Sequence, residues 1–154
     1  MDIEEQYDKI YRYCYFKLHD RQSAQDITQE TFLRFFQQDL SLDNNKELPY
    51  LYTIAKNLCI DNFRKKTAAG LEDVSEKAAY NPTEDWINNL TLKSIVSRLS
   101  QEEQELIFLR YVNEIGVATI CRITGFSRFA VYRRLSKILK WLKEELKKEG
   151  FFDE

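Results

Sequence analysis

Gly125 sits at the point where this sequence is hardest to fold in more than one way. Before it, apolar residues recur at Ile115, Ala118, Cys121 or Ile120, and Ile123, close to the i, i+3, i+4 spacing of a half-buried helix. Glycine ends such a helix because it enters the left-handed backbone region with no Cβ to clash. Ser127 is a suitable side-chain N-cap for the next helix. That helix carries one apolar stripe, Val131, Leu135, Ile138 and Leu142, and its outer face bears Arg128, Arg133, Arg134, Lys137, Lys140 and Lys143. No acidic residue falls between 127 and 143. A short helix, a tight turn and a cationic second helix make the helix-turn-helix plan, whose second helix enters the DNA major groove. A solvated basic face on a small bundle has the same periodicity.

The rest of the chain is also helical in pattern. Two prolines and four glycines in 154 residues leave few turns for a many-stranded sheet, and no stretch alternates with period two. An all-α fold is expected, with 44% hydrophobic residues to build its cores. The first helix spans 3–18, with Ile3, Tyr7, Ile10, Tyr11, Cys14 and Leu18 on one side. Asp20 caps a second over 21–38, striped by Ala24, Ile27, Thr31, Phe32 and Phe35. Residues 40–47 read as a loop, after which Pro49 opens a third helix where its missing N–H costs nothing. Its inward residues are Leu51, Ile54, Ala55 and Leu58.

Periodicity dissolves over 67–81, which predicts a flexible linker between two small helical domains, 1–66 and 82–154. Pro82 and Thr83 open the second domain, and Ser100 with Glu103 forms a capping box for a helix over 101–112.

Net charge is only −2, which argues against a general nucleic-acid coat, yet the charges are segregated. Acids load the first residues and 70–85, while bases gather at 64–66 and from 128 onward. Such a chain touches DNA with two patches and protein with the remainder. Cys14, Cys59 and Cys121 lie far apart, with no CxxC and one histidine, so neither a zinc site nor a disulfide framework is expected. There is no paired nucleophile and base, no phosphate loop and no carboxylate cluster, so the expectation is a non-enzyme without cofactor or metal. No apolar run of about 18 residues and no charged-then-apolar leader is present, which predicts a cytoplasmic protein with no membrane span.

Two blocks carry a resemblance. AQDITQETFLRFF (24–36), followed by LPYLYTIAKNLCIDNFRKK (48–66), resembles region 2 of bacterial RNA polymerase sigma factors. VSRLSQEEQELIFLRYVNEIGVATICRITGFSRFAVYRRLSKILKWL (96–142) resembles region 4. Both blocks in this order, in a chain this small, are similar to the extracytoplasmic-function (ECF) group.

The resemblance implies a promoter-specific initiation factor that binds core RNA polymerase and promoter DNA, with an anti-sigma protein as regulator and a monomer when free. It implies that Asp26, Gln29 and Glu30 dock on the polymerase clamp helices. Tyr50, Tyr52, Lys56 and Asn57 would capture the melted −10 element, with Arg64, Lys65 and Lys66 along its phosphates. Aromatic and amide groups suit unstacked bases, and core packing competes for Tyr50. Arg128, Phe129, Tyr132, Arg133 and Lys137 would read the −35 element, with Arg134 nearer the backbone. The acidic stretch bearing Glu72, Asp73 and Glu76 is similar to linkers that thread the polymerase cleft. Tyr50 stands where the family usually has Trp, and Phe129 and Ala130 replace a small-Thr pair, so the −35 sequence need not be the family's usual one. A stand-alone helix-turn-helix regulator that dimerises on a palindrome is the alternative, and it has no use for the Asp26–Gln29–Glu30 group.

Overall fold

Every regular element among the described residues of the computed structural model is helical; those residues are 2–38, 44–69 and 90–150. The chain divides into two units, Met1–Tyr80 and Asn81–Glu154. The first contains α1 (Ile3–Leu18), α2 (Arg21–Gln37) and α3 (Asn44–Ala68). The second contains α4 (Leu90–Val96), α5 (Gln101–Ile107, extended by a wider π turn over Phe108–Val112), α6 (Val117–Thr124) and α7 (Arg128–Lys148).

Capping chemistry sets the starts in the first unit. Asp2 accepts from the backbone N–H groups of Glu4 and Glu5, and Asp20 accepts from the N–H of Ser23 at 3.1 Å and its hydroxyl at 2.6 Å. His19 ends α1 in the left-handed region, φ 57°, one of the few roles there for a non-glycine residue. The core is built from Ile10, Tyr13 and Cys14 of α1, Ala24, Thr28, Thr31 and Phe35 of α2, and Leu51, Tyr52, Ala55 and Cys59 of α3. The two buried threonines donate to the carbonyls of Ala24 and Ile27, both at 2.7 Å, so neither hydroxyl is left unpaired. The adjacent Cys59 sulfur and burial together push the Cys14 thiol far above its ordinary range. It stays protonated, a packing residue and no nucleophile.

Helix α3 departs from the expected reading at both ends and in its rotation. It begins at Asn44, so residues 44–47 of the expected loop are helical, and Pro49 lies inside the helix. Pro49 is the sixth residue of the helix, so it forgoes the bond its N–H would have made to the carbonyl of residue 45, and the expectation that it opens the helix where a missing N–H costs nothing is corrected. Residues 40–43 of that loop lie outside the described residues. The helix runs on to Ala68, so the first residues of the expected linker at 67 are helical; the remainder from 70 lies outside the described residues, as does the helix start at Pro82 and Thr83. Inward, Tyr52 and Cys59 are fully buried and Ile54 and Leu58 only half-buried. The Tyr13 ring of α1, 5.3 Å away and edge-to-face, selects Tyr52 as the core residue.

In the second unit, the capping box at α5 is complete. The Glu103 N–H donates to the Ser100 hydroxyl at 3.2 Å and the Ser100 N–H to the Glu103 carboxylate at 3.0 Å. The expected helix over 101–112 widens in its last turn, where the N–H of Asn113 reaches the Phe108 carbonyl at 3.0 Å and that of Ile115 reaches Leu109 at 2.9 Å. This wider turn changes the register before α6. Ile115, Val117, Ile120 and Ile123 are buried, whereas Ala118, expected inward, is exposed. Gly125 closes α6 at φ 85° and Ser127 caps α7 by accepting from the Ala130 N–H at 3.0 Å. Val131, Leu135 and Ile138 then pin α7 to the rest of the unit, with Leu142 half-buried.

Candidate nucleic-acid interface

Helix α2 turns one face to the core and leaves the opposite one uncovered. Asp26 and Gln29 are exposed there and Glu30 is half-buried, one turn apart as helical geometry requires. Gln22 donates to Asp26 at 3.0 Å, and Arg34 pairs with Glu30 at 2.9 Å. One turn further, Leu33 and Phe36 are 58% and 51% exposed. Polar acceptors beside an uncovered apolar pair is the anatomy of a docking surface, an apolar centre with a polar rim.

Along α3 the candidate DNA residues separate. Tyr50, Asn57 and Arg64 fall seven residues apart on one line of the helix; Asn57 and Arg64 are exposed and Tyr50 is half-buried, 6.1 Å from the Phe35 ring. Lys56 is half-buried on the flank and Lys65 is exposed. Tyr52 is the correction: with no exposed surface it has nothing to offer a base. Lys66 also leaves the line. It is half-buried on the inward flank, where its charge helps Ser23's hydrogen bonds hold the Asp20 carboxyl below its ordinary value.

The turn between α6 and α7 presents the cationic helix as the sequence pattern requires. Arg128, Phe129, Tyr132, Arg133 and Lys137 are all exposed. Phe129 is 71% exposed, and the Arg133 guanidinium lies 5.4 Å from its ring centre. Arg134 is set apart on the flank of α7. Its guanidinium stacks on Phe126 at 4.2 Å and pairs with Glu102 at 3.3 Å. Phe126, Arg98 and Trp141 were not singled out from the sequence. Arg98 lies more than forty residues before Trp141, and no local pattern signals that the two approach to 6.0 Å.

Among the described residues, no helix is long and apolar enough to cross a membrane, and no group of His, Cys, Asp and Glu is placed to hold a metal ion.

The family model for Sigma-70 region 2 matches residues 3–69. The chain is 30% identical to the ECF RNA polymerase sigma factor SigW of Bacillus subtilis, over 91% of this chain and 84% of that protein. It is 27% identical to SigM of the same organism, an ECF sigma factor, over 82% of this chain and 84% of that one. Identity is also 27% to the ECF sigma factor BldN of Streptomyces coelicolor, across 90% of this chain, which spans 58% of BldN's length.

Proposed function

The chain belongs to the ECF RNA polymerase sigma factors, and from that membership we propose that α2 docks on core polymerase while α3 and α7 hold the two elements of a promoter. In this division, Asp26, Gln29 and Glu30 meet basic groups on the polymerase, with Leu33 and Phe36 supplying apolar area. Asn57 and Arg64, beside Tyr50, face the melted −10 strand, where an amide bonds a base edge and an aromatic ring stacks. Lys56 and Lys65 lie along the phosphates. Arg128, Phe129, Tyr132, Arg133 and Lys137 enter the major groove at −35. The free chain is a cytoplasmic monomer without catalytic activity of its own, and an anti-sigma protein holds it until polymerase takes over.

The observation that carries this reading is the outer face of α2. A stand-alone DNA-binding regulator needs α7 and a dimer contact, yet here a second surface, in the other unit, combines exposed acceptors with half-exposed Leu33 and Phe36. Run-off transcription with core polymerase tests it. The natural chain should start transcripts from a defined promoter, and Asp26→Ala/Gln29→Ala should bind core roughly thirtyfold more weakly, from two contacts of about 1 kcal/mol each. Stable homodimers that footprint a palindrome without polymerase would overturn it.

A further inference from the structure

The arginines around α7 are held in two different ways. Arg98 pairs with Glu145 at 2.9 Å and Arg134 with Glu102 at 3.3 Å, so a carboxylate answers each charge. Arg133 has no carboxylate partner among the described residues. Its guanidinium lies instead 5.4 Å from the centre of the Phe129 ring, inside the roughly 6 Å at which a cation is drawn to an aromatic face. Both side chains are exposed, and Phe129 is the large apolar residue that water reaches most among the described residues.

Helical geometry explains the pairing. Residues four apart share a face, and the Cα–Cβ bonds of a helix lean towards its N-terminus, so Arg133 reaches back over Phe129. That is the end of α7 capped by Ser127, and in a groove-reading helix it is the end that meets base edges. What an arginine can read there depends on its orientation. Its flat fork bonds the O6 and N7 of one guanine only when aimed at both, whereas phosphate oxygens accept it from many directions. A mobile arginine must first lose rotamer freedom to be aimed, and one already laid against a ring has less to lose. A carboxylate restrains a guanidinium by taking its N–H donors, as Glu145 and Glu102 do from Arg98 and Arg134. A ring face restrains it and leaves those donors free.

We propose that Phe129 is a positioning residue for Arg133: the ring holds the guanidinium ready to bond a guanine of the −35 element, and so sets how strongly that base pair is preferred. The proposal rests on the DNA-reading role proposed above for α7 and adds to it a residue that works through another. Phe129 replaces a small residue of the family pattern, so the device belongs to this chain rather than to ECF sigma factors at large.

The experiment measures holoenzyme binding to the promoter duplex that the holoenzyme itself selects from random sequence. Each guanine of its −35 element, on either strand, is replaced in turn by 7-deazaguanine, which lacks the N7 acceptor. One position should weaken the natural chain about tenfold. In Phe129→Leu, which keeps apolar bulk but not the ring, that penalty should shrink to about threefold, since a ring's hold on an exposed cation is worth a factor of roughly two to five. Phe129→Tyr should restore it. In Arg133→Ala the position should no longer matter, and adding Phe129→Leu should change nothing further. Arg133→Lys should keep the salt dependence of binding yet ignore the N7 substitution, because charge alone does not make a fork. Both side chains are exposed, so circular dichroism melts of these variants should superimpose. A penalty that stays tenfold in Phe129→Leu would mean that Arg133 reads its base without the ring, and would overturn the proposal. A selected element with no guanine that depends on Arg133 would overturn it too. In both cases the holoenzyme still uses its −35 element. Binding by the natural chain that ignores that element altogether is a different result, and it would remove the DNA-reading role itself.

Discussion

Phe129 leaves 71% of its surface in water and its ring lies under the Arg133 guanidinium, so the fold gains little from either side chain. A groove-facing phenyl ring meets thymine methyls, and an arginine bonds the O6 and N7 of guanine. Where a thymine of the −35 element lies against Phe129, replacing it by uracil removes one methyl, worth about 0.8 kcal/mol when buried, or roughly fourfold in affinity. That loss should appear in the natural chain and vanish in Phe129→Ala, whose melting temperature should match the natural chain's. Arg133→Ala should cost about 1–3 kcal/mol on promoters with a matching −35 element and much less on unrelated duplex. Competition gel shifts with the holoenzyme check both; equal losses on the two DNAs would reduce Arg133 to a phosphate contact. The neighbouring Arg134 belongs to the flank, stacked on Phe126, and its replacement should weaken all duplexes alike.

Caps decide where the helices begin, and the cap of α2 carries a pH dependence. The hydrogen bonds from Ser23, followed by the charge of Lys66, hold the Asp20 carboxyl below its ordinary value of 3.8. A depressed folded value means that the charged cap stabilises the fold fully above the ordinary carboxylate range. The contribution is lost as pH falls through the folded value. Asp20→Ala should therefore lower the stability of the first unit by about 1 kcal/mol at neutral pH, with the difference fading in strong acid, as denaturant melts followed by circular dichroism would record. Such caps are local, which is why Asp20, Ser100, Gly125 and Ser127 were legible in the sequence. The inward faces of α3 and α6 were less so. Tyr50 and Tyr52 are equally amphipathic, and only the Tyr13 ring on another helix, 5.3 Å from Tyr52, decides between them. Likewise Val117 replaces Ala118 inside because α5 ends in a π turn, a register change that a single 3.6-residue period does not contain. The basic face of α7 follows from periodicity; periodicity also puts Asp26, Gln29 and Glu30 on one side of α2, but only the family resemblance implies a docking role for them. The approach of Arg98 to Trp141 does not follow from periodicity, because it joins residues far apart in sequence.

Each unit has its own core, and that organisation has a consequence for the whole chain. Ile10, Tyr13, Phe35, Leu51 and Tyr52 fill the first, while Ile95, Leu106, Leu109, Ile120 and Val131 fill the second. A promoter factor of this kind gains from such separation. Two modest DNA contacts on one chain reinforce each other through effective concentration, provided each surface keeps its shape without the other. Truncating Tyr52 tests this directly. Removing a fully buried ring that packs edge-to-face on Tyr13 should cost the first unit about 3–5 kcal/mol, enough to unfold a small domain at moderate temperature. In a Trp86→Phe background, Trp141 fluorescence reports only the second unit. Tyr52→Ala should then lower the midpoint of the early helical transition seen by circular dichroism, while the Trp141 transition keeps its midpoint. A single transition, displaced by the same amount for both signals, would mean that the two cores fold as one and that the promoter elements are not held by separate modules.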